Sequence, residues 1–142
     1  MLREIKFGGK SIYNVEWLYG SLIKIEEDRY AIIPDLNDIE IGNSIGIYEV
    51  DPITIGQFTG LRDKNGIEIY EGDIVLWRRD GKLYLVKFYA GMFYASVEEL
   101  NKGVYGGIPL HVLTVNEEDG YKCEVCGNIY DNPELLKGCS HE

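Results

Sequence analysis

The sequence has few residues of the kinds that most often carry chemistry, with three cysteines and two histidines among 142 residues. It also lacks long apolar runs. The longest, such as those at 30–33 and 83–86, fall far short of the roughly 18 to 20 residues that cross a bilayer. The N-terminal MLREIKFGGK lacks the apolar segment of about 7–15 residues that a secretory signal requires. We therefore expect a cytoplasmic protein without a membrane span, and no structural disulfides.

Basic residues are scarce as well. Fourteen lysines and arginines stand against 24 aspartates and glutamates, which gives a formal net charge of -10. Binding to a phosphate backbone works against such a field, so nucleic acid is not the expected ligand. The charge is typical of a solvated surface that keeps a protein soluble. The alternative is an acidic face that docks on a basic partner or imitates DNA toward a DNA-binding protein.

Glycine and tyrosine, in contrast, are abundant, with 17 and 11 residues. This composition favours strands and tight turns over long helices, so we predict a mainly-β fold with few short helical turns. The length is that of one domain, 1–142. The alternative division is into two β lobes, about 1–55 and 56–142.

Two regions predict strands most clearly. Apolar alternation at 16–25, an acidic turn and an apolar run at 30–33 predict a hairpin. Strands at 74–78, 82–88 and 92–97, separated by Asp-Gly and Ala-Gly turns, predict a meander. Gly-Asp-Ile-Val followed by short aromatic strands is typical of small SH3-like barrels. We therefore expect a small β-barrel or sandwich-like architecture with an SH3-like segment near 70–98.

Further elements are predicted from shorter patterns. Ser96 with Glu99 has the spacing of a capping box and predicts a short helix at 96–102. The other predictions are a strand at 45–50, a tight turn at 63–66, a strand at 112–115, an extended segment at 121–130 and one helical turn at 133–138.

Four segments carry a family resemblance. They are REIKF at 3–7, EWLYGSL at 16–22, VDPITIGQFTGLRDKNGIEIYEGDIV at 50–75 and EVCGNIYDNPELL at 124–136. Together they resemble the YopX family of phage and prophage proteins, and the central segment is the most specific of the four. The residues of each segment can also be explained by structure alone, since glycines form turns and aromatic residues pack in the core.

The resemblance implies a mostly-β accessory protein of a phage or prophage, located in the cytoplasm of the bacterial host cell. It carries no settled biochemical activity and supplies no catalytic or cofactor-binding residue. We therefore expect a non-catalytic protein that binds a protein partner of unknown identity. A homo-oligomer is also expected, because aromatic residues make up 12% of the chain and serve as anchors in interfaces.

The cysteines provide the candidate for metal chemistry. Cys123 and Cys126, with Cys139 and His141 downstream, offer three thiolates and an imidazole, which can complete a tetrahedral zinc shell. The one-residue gap between Cys139 and His141 is shorter than structural sites use, and residues three apart on one strand point to opposite faces. We therefore expect no cofactor, and a structural zinc module at the C-terminus is an alternative.

Trp77, Arg78 and Arg79 form a compact basic-aromatic cluster. Such a cluster can stack on bases and contact phosphates, so a nucleic-acid-associated module is a further alternative. The acidity of the chain favours pairing of the arginines with local carboxylates instead. His111 is expected to be a strand residue and not a general base. Because no set of nucleophile and base is evident, no enzyme activity is predicted.

Overall fold

A computed structural model describes residues 3–34, 46–97, 107–115 and 122–138. Strands dominate these ranges, and the two helices found there have five residues each. The strands are β1 Phe7–Lys10, β2 Trp17–Glu26, β3 Arg29–Pro34, β4 Tyr48–Val50, β5 Gly56–Arg62, β6 Glu68–Tyr70, β7 Asp73–Trp77, β8 Lys82–Tyr89, β9 Met92–Ser96, β10 Gly107–Pro109 and β11 Glu124–Asn128; a 3-10 turn spans Pro52–Thr54, and the helices are α1 Leu110–Thr114 and α2 Glu134–Gly138. The predicted mainly-β class is confirmed.

The strands form two antiparallel sheets, with the orders β4-β3-β2-β1-β5-β6 and β10-β9-β8-β7-β11. Over the described ranges both sheets are open, so the predicted architecture holds as two sheets and not as a closed barrel. The meander predicted for residues 74–97 is confirmed as β7, β8 and β9. Its SH3-like character stays a prediction. None of the described helices is long and apolar enough to span a membrane.

The chain divides into two compact units, Met1–Phe58 and Thr59–Glu142. In the first unit, β2 and β3 form the predicted hairpin, and its turn contains Asp28 at a positive φ of 61°, which aspartate tolerates better than most residues. The end of β1 meets β4 through a bridge between Ser11 and Val50. Whether the chain folds as one domain or as two lobes stays a prediction.

The second unit is built on the meander, and helices cover both of its faces. Val75 and Val86 pack with α1 on one face, whereas Ile74 and Leu85 pack with α2 on the other. Successive side chains of a strand point to opposite faces. Two covered faces therefore explain why the neighbours Ile74 and Val75 are both fully buried.

The prediction of a strand at 112–115 is wrong, because residues 110–114 form α1. Leu110 and Leu113 are fully buried and lie one helical turn apart, so burial selects the helical period. The predicted helix at 96–102 lies outside the described residues from 98 onward, and Ser96 itself ends β9. The predicted helical turn at 133–138 is confirmed as α2.

Candidate functional site

A two-stranded ribbon extends the β8–β9 hairpin beyond its neighbours. β7 pairs with β8 only at 82–85, and β10 pairs with β9 only at 94–96, whereas β8 and β9 pair with each other to the end of the hairpin. Residues 87–93 therefore have no flanking strand in the described part of the chain. The ribbon ends in four apolar side chains, which we call the apolar tip: Phe88, Tyr89, Met92 and Phe93.

The apolar tip is exposed and held in place. Tyr89 is 72% exposed and Phe88 is 50% exposed, while the rings of Phe88 and Phe93 pack edge to face at 5.0 Å. The turn consists of Ala90 and Gly91, both at positive φ, as in the two-residue turns whose twist matches that of a hairpin. Exposed aromatic side chains on a short turn lose little freedom on binding, so the tip can anchor a protein contact.

A second exposed apolar segment lies in the first unit, in the loop at 11–16. Tyr13 and Val15 are 78% and 79% exposed. The loop is fixed by its own side chains, because Ser11 Oγ accepts from the Tyr13 N–H at 3.0 Å and Asn14 Oδ1 accepts from the Glu16 N–H at 2.9 Å. Tyr13 and Tyr89 are exposed to a similar extent, so this loop supplies a matched comparison for the apolar tip.

Asp63 has a role that the sequence pattern did not reveal. The predicted turn at 63–66 is confirmed by a 3.0 Å bond from the Gly66 N–H to the Asp63 carbonyl. The Asp63 carboxylate is buried and accepts from the backbone N–H groups of Asn65, Ile67 and Val125 at 2.8, 2.9 and 2.9 Å. It therefore closes the turn and ties it to β11. A bond to a residue so far along the chain leaves no local signal in the sequence.

Asp73 begins β7, and burial raises the pKa of its carboxyl to about 7. The Tyr70 N–H, 2.8 Å from Oδ2, favours the charged form, and the negative Asp63 disfavours it. A carboxyl that titrates near neutrality is the kind that acid–base catalysis uses. Here its hydrogen bond to Tyr70 closes the turn at 70–73, which contains Gly72 at a φ of 97°. These contacts indicate that Asp73 stabilises the turn.

The segments at 70–75 and 124–136 that suggested the family contact each other. The Ile129 N–H donates to the Gly72 carbonyl at 2.9 Å, and a Cβ on Gly72 would lie 3.0 Å from the Tyr130 ring. Asn132 Oδ1 accepts from the Asn128 N–H at 3.2 Å. These residues have a structural task, since they dock the C-terminal segment on the turn before β7.

Two of the four zinc candidates lie in the described ranges. Cys123 is fully buried, whereas Cys126 is exposed. Burial and, to a lesser extent, the negative Asp63 raise the pKa of the Cys123 thiol to about 12. Burial also raises the pKa of the Cys126 thiol. Within these ranges no three histidine, cysteine or acidic side chains lie together as a ligand set. Cys139 and His141 lie outside the described residues, so the zinc module stays a prediction.

The basic-aromatic cluster has a buried tryptophan and two exposed arginines. Trp77 is 9% exposed and packs edge to face with Tyr84 at 6.2 Å. Arg78 Nη2 lies 2.9 Å from Glu124 Oε1, which is the expected pairing with a local carboxylate, and Arg79 is exposed. A buried indole presents no face for base stacking. Of the three residues predicted to contact nucleic acid, only the two arginines are therefore exposed.

His111 lies on the exposed side of α1 and not on the strand that the sequence predicted. Its carbonyl accepts from the Thr114 hydroxyl at 3.0 Å. At the turn between β2 and β3, Glu26 and Arg29 form a 2.7 Å ion pair that Glu49 extends at 2.9 Å. These two glutamates hold the pKa of the Arg29 guanidinium above its usual range. The group is a surface ion network, and its carboxylates are paired.

Comparisons with known proteins find a family model and a similar crystal structure. The crystal structure of protein EF1440 from Enterococcus faecalis is similar, with a TM-score of 0.56 and 26% sequence identity over 95% of this chain and 99% of that one. Curated proteins give no match. The family model described as YopX protein matches residues 6–137, which is nearly the whole chain and includes the four segments noted in the sequence, apart from the first residues of the N-terminal one. The chain belongs to the YopX family.

Proposed function

We propose that this YopX-family chain is a non-catalytic accessory protein of a phage or prophage, located in the cytoplasm of the bacterial host cell, and that it acts by binding another protein. The observation that carries the proposal is the exposed apolar tip of the β8–β9 ribbon, with Tyr89 72% exposed. The tip binds in an apolar pocket of the partner. The chain also forms a homo-oligomer.

The arrangement of the apolar tip supports a role in protein binding and not in catalysis. Its side chains are aromatic or thioether groups with no titratable base beside them on the turn, which consists of Ala90 and Gly91. Aromatic residues are the commonest energetic anchors of protein interfaces, and a few of them carry most of the binding energy. The carboxyl with the most unusual pKa in the described ranges, Asp73, is engaged in a turn.

The proposal is tested by capturing partners with the tagged full-length chain in phage-carrying bacteria, followed by measurement of Kd with the purified partner. A double variant of the apolar tip, Phe88→Ser with Tyr89→Ser, is expected to weaken binding at least about tenfold, the effect of losing one interface anchor of about 1.4 kcal/mol. Both side chains are half exposed or more, so the fold is retained.

The matched control is Tyr13→Ser with Val15→Ser, which removes two apolar side chains that are at least as exposed, from the other unit. It is expected to change Kd by less than about threefold. An equal loss in both double variants would assign the effect to general apolar character and contradict the role of the tip. Reproducible turnover of a nucleotide or nucleic acid by the purified chain would contradict the non-catalytic proposal.

A further inference from the structure

Among the residues that the structure describes, the outer half of β2 is an open sheet edge. β2 runs from Trp17 to Glu26, but β1 covers only its first four residues, with Phe7 opposite Gly20. β3 pairs along the other side of β2 to the end of the hairpin. The Phe58 N–H donates to the Lys6 carbonyl, which continues the pairing of β1 with β5. Within the described residues, no strand pairs with 21–26 on the β1 side.

The hydrogen-bond pattern shows which backbone groups this edge presents. The Ser11 N–H donates to the Glu16 carbonyl, so Glu16 and alternate residues after it direct their backbone groups toward β1. Pro34, which has no N–H, lies opposite Gly20, which agrees with Gly20 facing β1 and not β3. By the same alternation, Leu22 and Lys24 direct their N–H and carbonyl groups outward.

The side chains and charges around the edge indicate which kind of strand it binds. Ile23 is half-buried and Ile25 is 44% exposed, and the pairing with β3 has an irregularity between Lys24 and Glu26. At the hairpin end, Lys24 pairs with Glu27 at 3.0 Å, and Arg29 pairs with Glu26 and Glu49. The exposed Asp28 adds a further carboxylate, so four carboxylates stand against two cations and the local charge is negative. A strand with apolar residues alternating with lysine or arginine complements both features.

We propose that the outer edge of β2, residues 22–26, binds an extended, basic segment of a partner protein by strand addition. The segment donates to and accepts from the backbone of Leu22 and Lys24, places apolar side chains beside Ile23 and Ile25, and directs its cations toward the carboxylates of the hairpin end. This surface lies on β2 of the first unit, and it stands independently of the contact proposed for the apolar tip.

The test uses the ¹⁵N-labelled full-length chain and a blocked octapeptide of alternating valine and lysine. The amide signals of Leu22 and Lys24 are expected to shift, and hydrogen exchange at these two amides is expected to slow at least tenfold. The matched peptide of alternating valine and glutamate is expected to bind at least tenfold more weakly. A valine–lysine peptide with every backbone amide methylated is expected not to bind.

Two variants at position 24 distinguish the contribution of the backbone N–H to peptide binding from that of the lysine side chain. Lys24→Pro removes an outward N–H, which an edge position tolerates, and is expected to weaken peptide binding at least tenfold. Lys24→Thr keeps that N–H and is expected to stay within about threefold. Signal changes confined to residues 87–93, equal binding of the acidic or methylated peptide, or unchanged binding by Lys24→Pro would overturn the proposal. If the amide signals of Leu22 and Lys24 shift with rising protein concentration in the absence of peptide, the edge binds a second copy of the chain and the proposal of a basic partner segment is overturned.

Discussion

Asp63 shows how one carboxylate supports a long-range contact. Its two oxygens accept three backbone N–H groups, two within its own turn and one from Val125. Asparagine has one acceptor oxygen, so in Asp63→Asn at least one buried N–H faces an amide NH₂. We expect the free energy of unfolding to fall by about 1–3 kcal/mol, the cost of a buried donor left unsatisfied, measured by urea denaturation.

The control for this substitution is Asp51→Asn. Asp51 caps the 3-10 turn with a single acceptor bond, from Oδ1 to the Ile53 N–H at 3.1 Å. An asparagine oxygen replaces that acceptor, and asparagine is as good a cap as aspartate, so a change of only a few tenths of a kcal/mol is expected. If the two substitutions cost the same, the three-bond role of Asp63 is contradicted.

Asp73 makes stability depend on pH in a direction opposite to that of most paired carboxyls. Its folded pKa of about 7 lies above the ordinary value of 3.8, so between these values the folded state binds more protons than the unfolded state. Its contribution to stability is therefore complete below about pH 4 and is lost as the pH rises to 7. Asp73→Asn, which keeps an acceptor for the Tyr70 N–H, is expected to remove this loss.

The measurement is the free energy of unfolding of both proteins at pH 5 and pH 8. The free energy of unfolding of Asp73→Asn, taken relative to that of the unsubstituted chain, is expected to rise by on the order of 2 kcal/mol from pH 5 to pH 8. Asp28→Asn, which removes an exposed turn carboxylate, controls for the loss of one negative charge. A constant difference between Asp73→Asn and the unsubstituted chain across this range would show that Asp73 is ionised throughout.

At the scale of elements, the sequence predicted those whose pattern is local. The β2–β3 hairpin and the β7–β9 meander follow from period-two alternation and from turns of glycine, aspartate or alanine. The α1 helix was mistaken for a strand because Val112 and Val115 suit a strand, while the decisive fact is the burial of Leu110 and Leu113 against the meander. Such burial is a tertiary effect that five residues do not encode.

The candidate sites divide in the same way. The turn at Ala90 and Gly91 was predicted, but the apolar tip was not, because its exposure depends on where β7 and β10 stop pairing. The cluster at Trp77 is an alternative nucleic-acid contact in the sequence, and the burial of its indole follows from the packing with Tyr84. Local turn chemistry is readable from sequence, whereas exposure is a property of the assembled sheet.

At the scale of the whole molecule, charge limits how copies of the chain can meet. A net charge of -10 makes two copies repel each other, so a homo-oligomer requires contacts made by uncharged side chains. Both units offer such groups, Tyr13 and Val15 in one and the apolar tip in the other. Association should therefore strengthen with salt, because screening reduces repulsion while apolar contacts persist.

Native mass spectrometry of the reduced protein, with size-exclusion chromatography at low and high salt, tests this expectation. We expect a defined oligomer without zinc, and its population should be larger at high salt. Zinc is not expected because both described thiols have raised pKa values and favour the protonated form at neutral pH. The double variants at 88 and 89 and at 13 and 15 locate the contact, since only the one in the interface yields monomer. A monomer at every salt concentration would contradict self-association, and one zinc per chain would make Cys123, Cys126, Cys139 and His141 ligands in place of packing and surface residues.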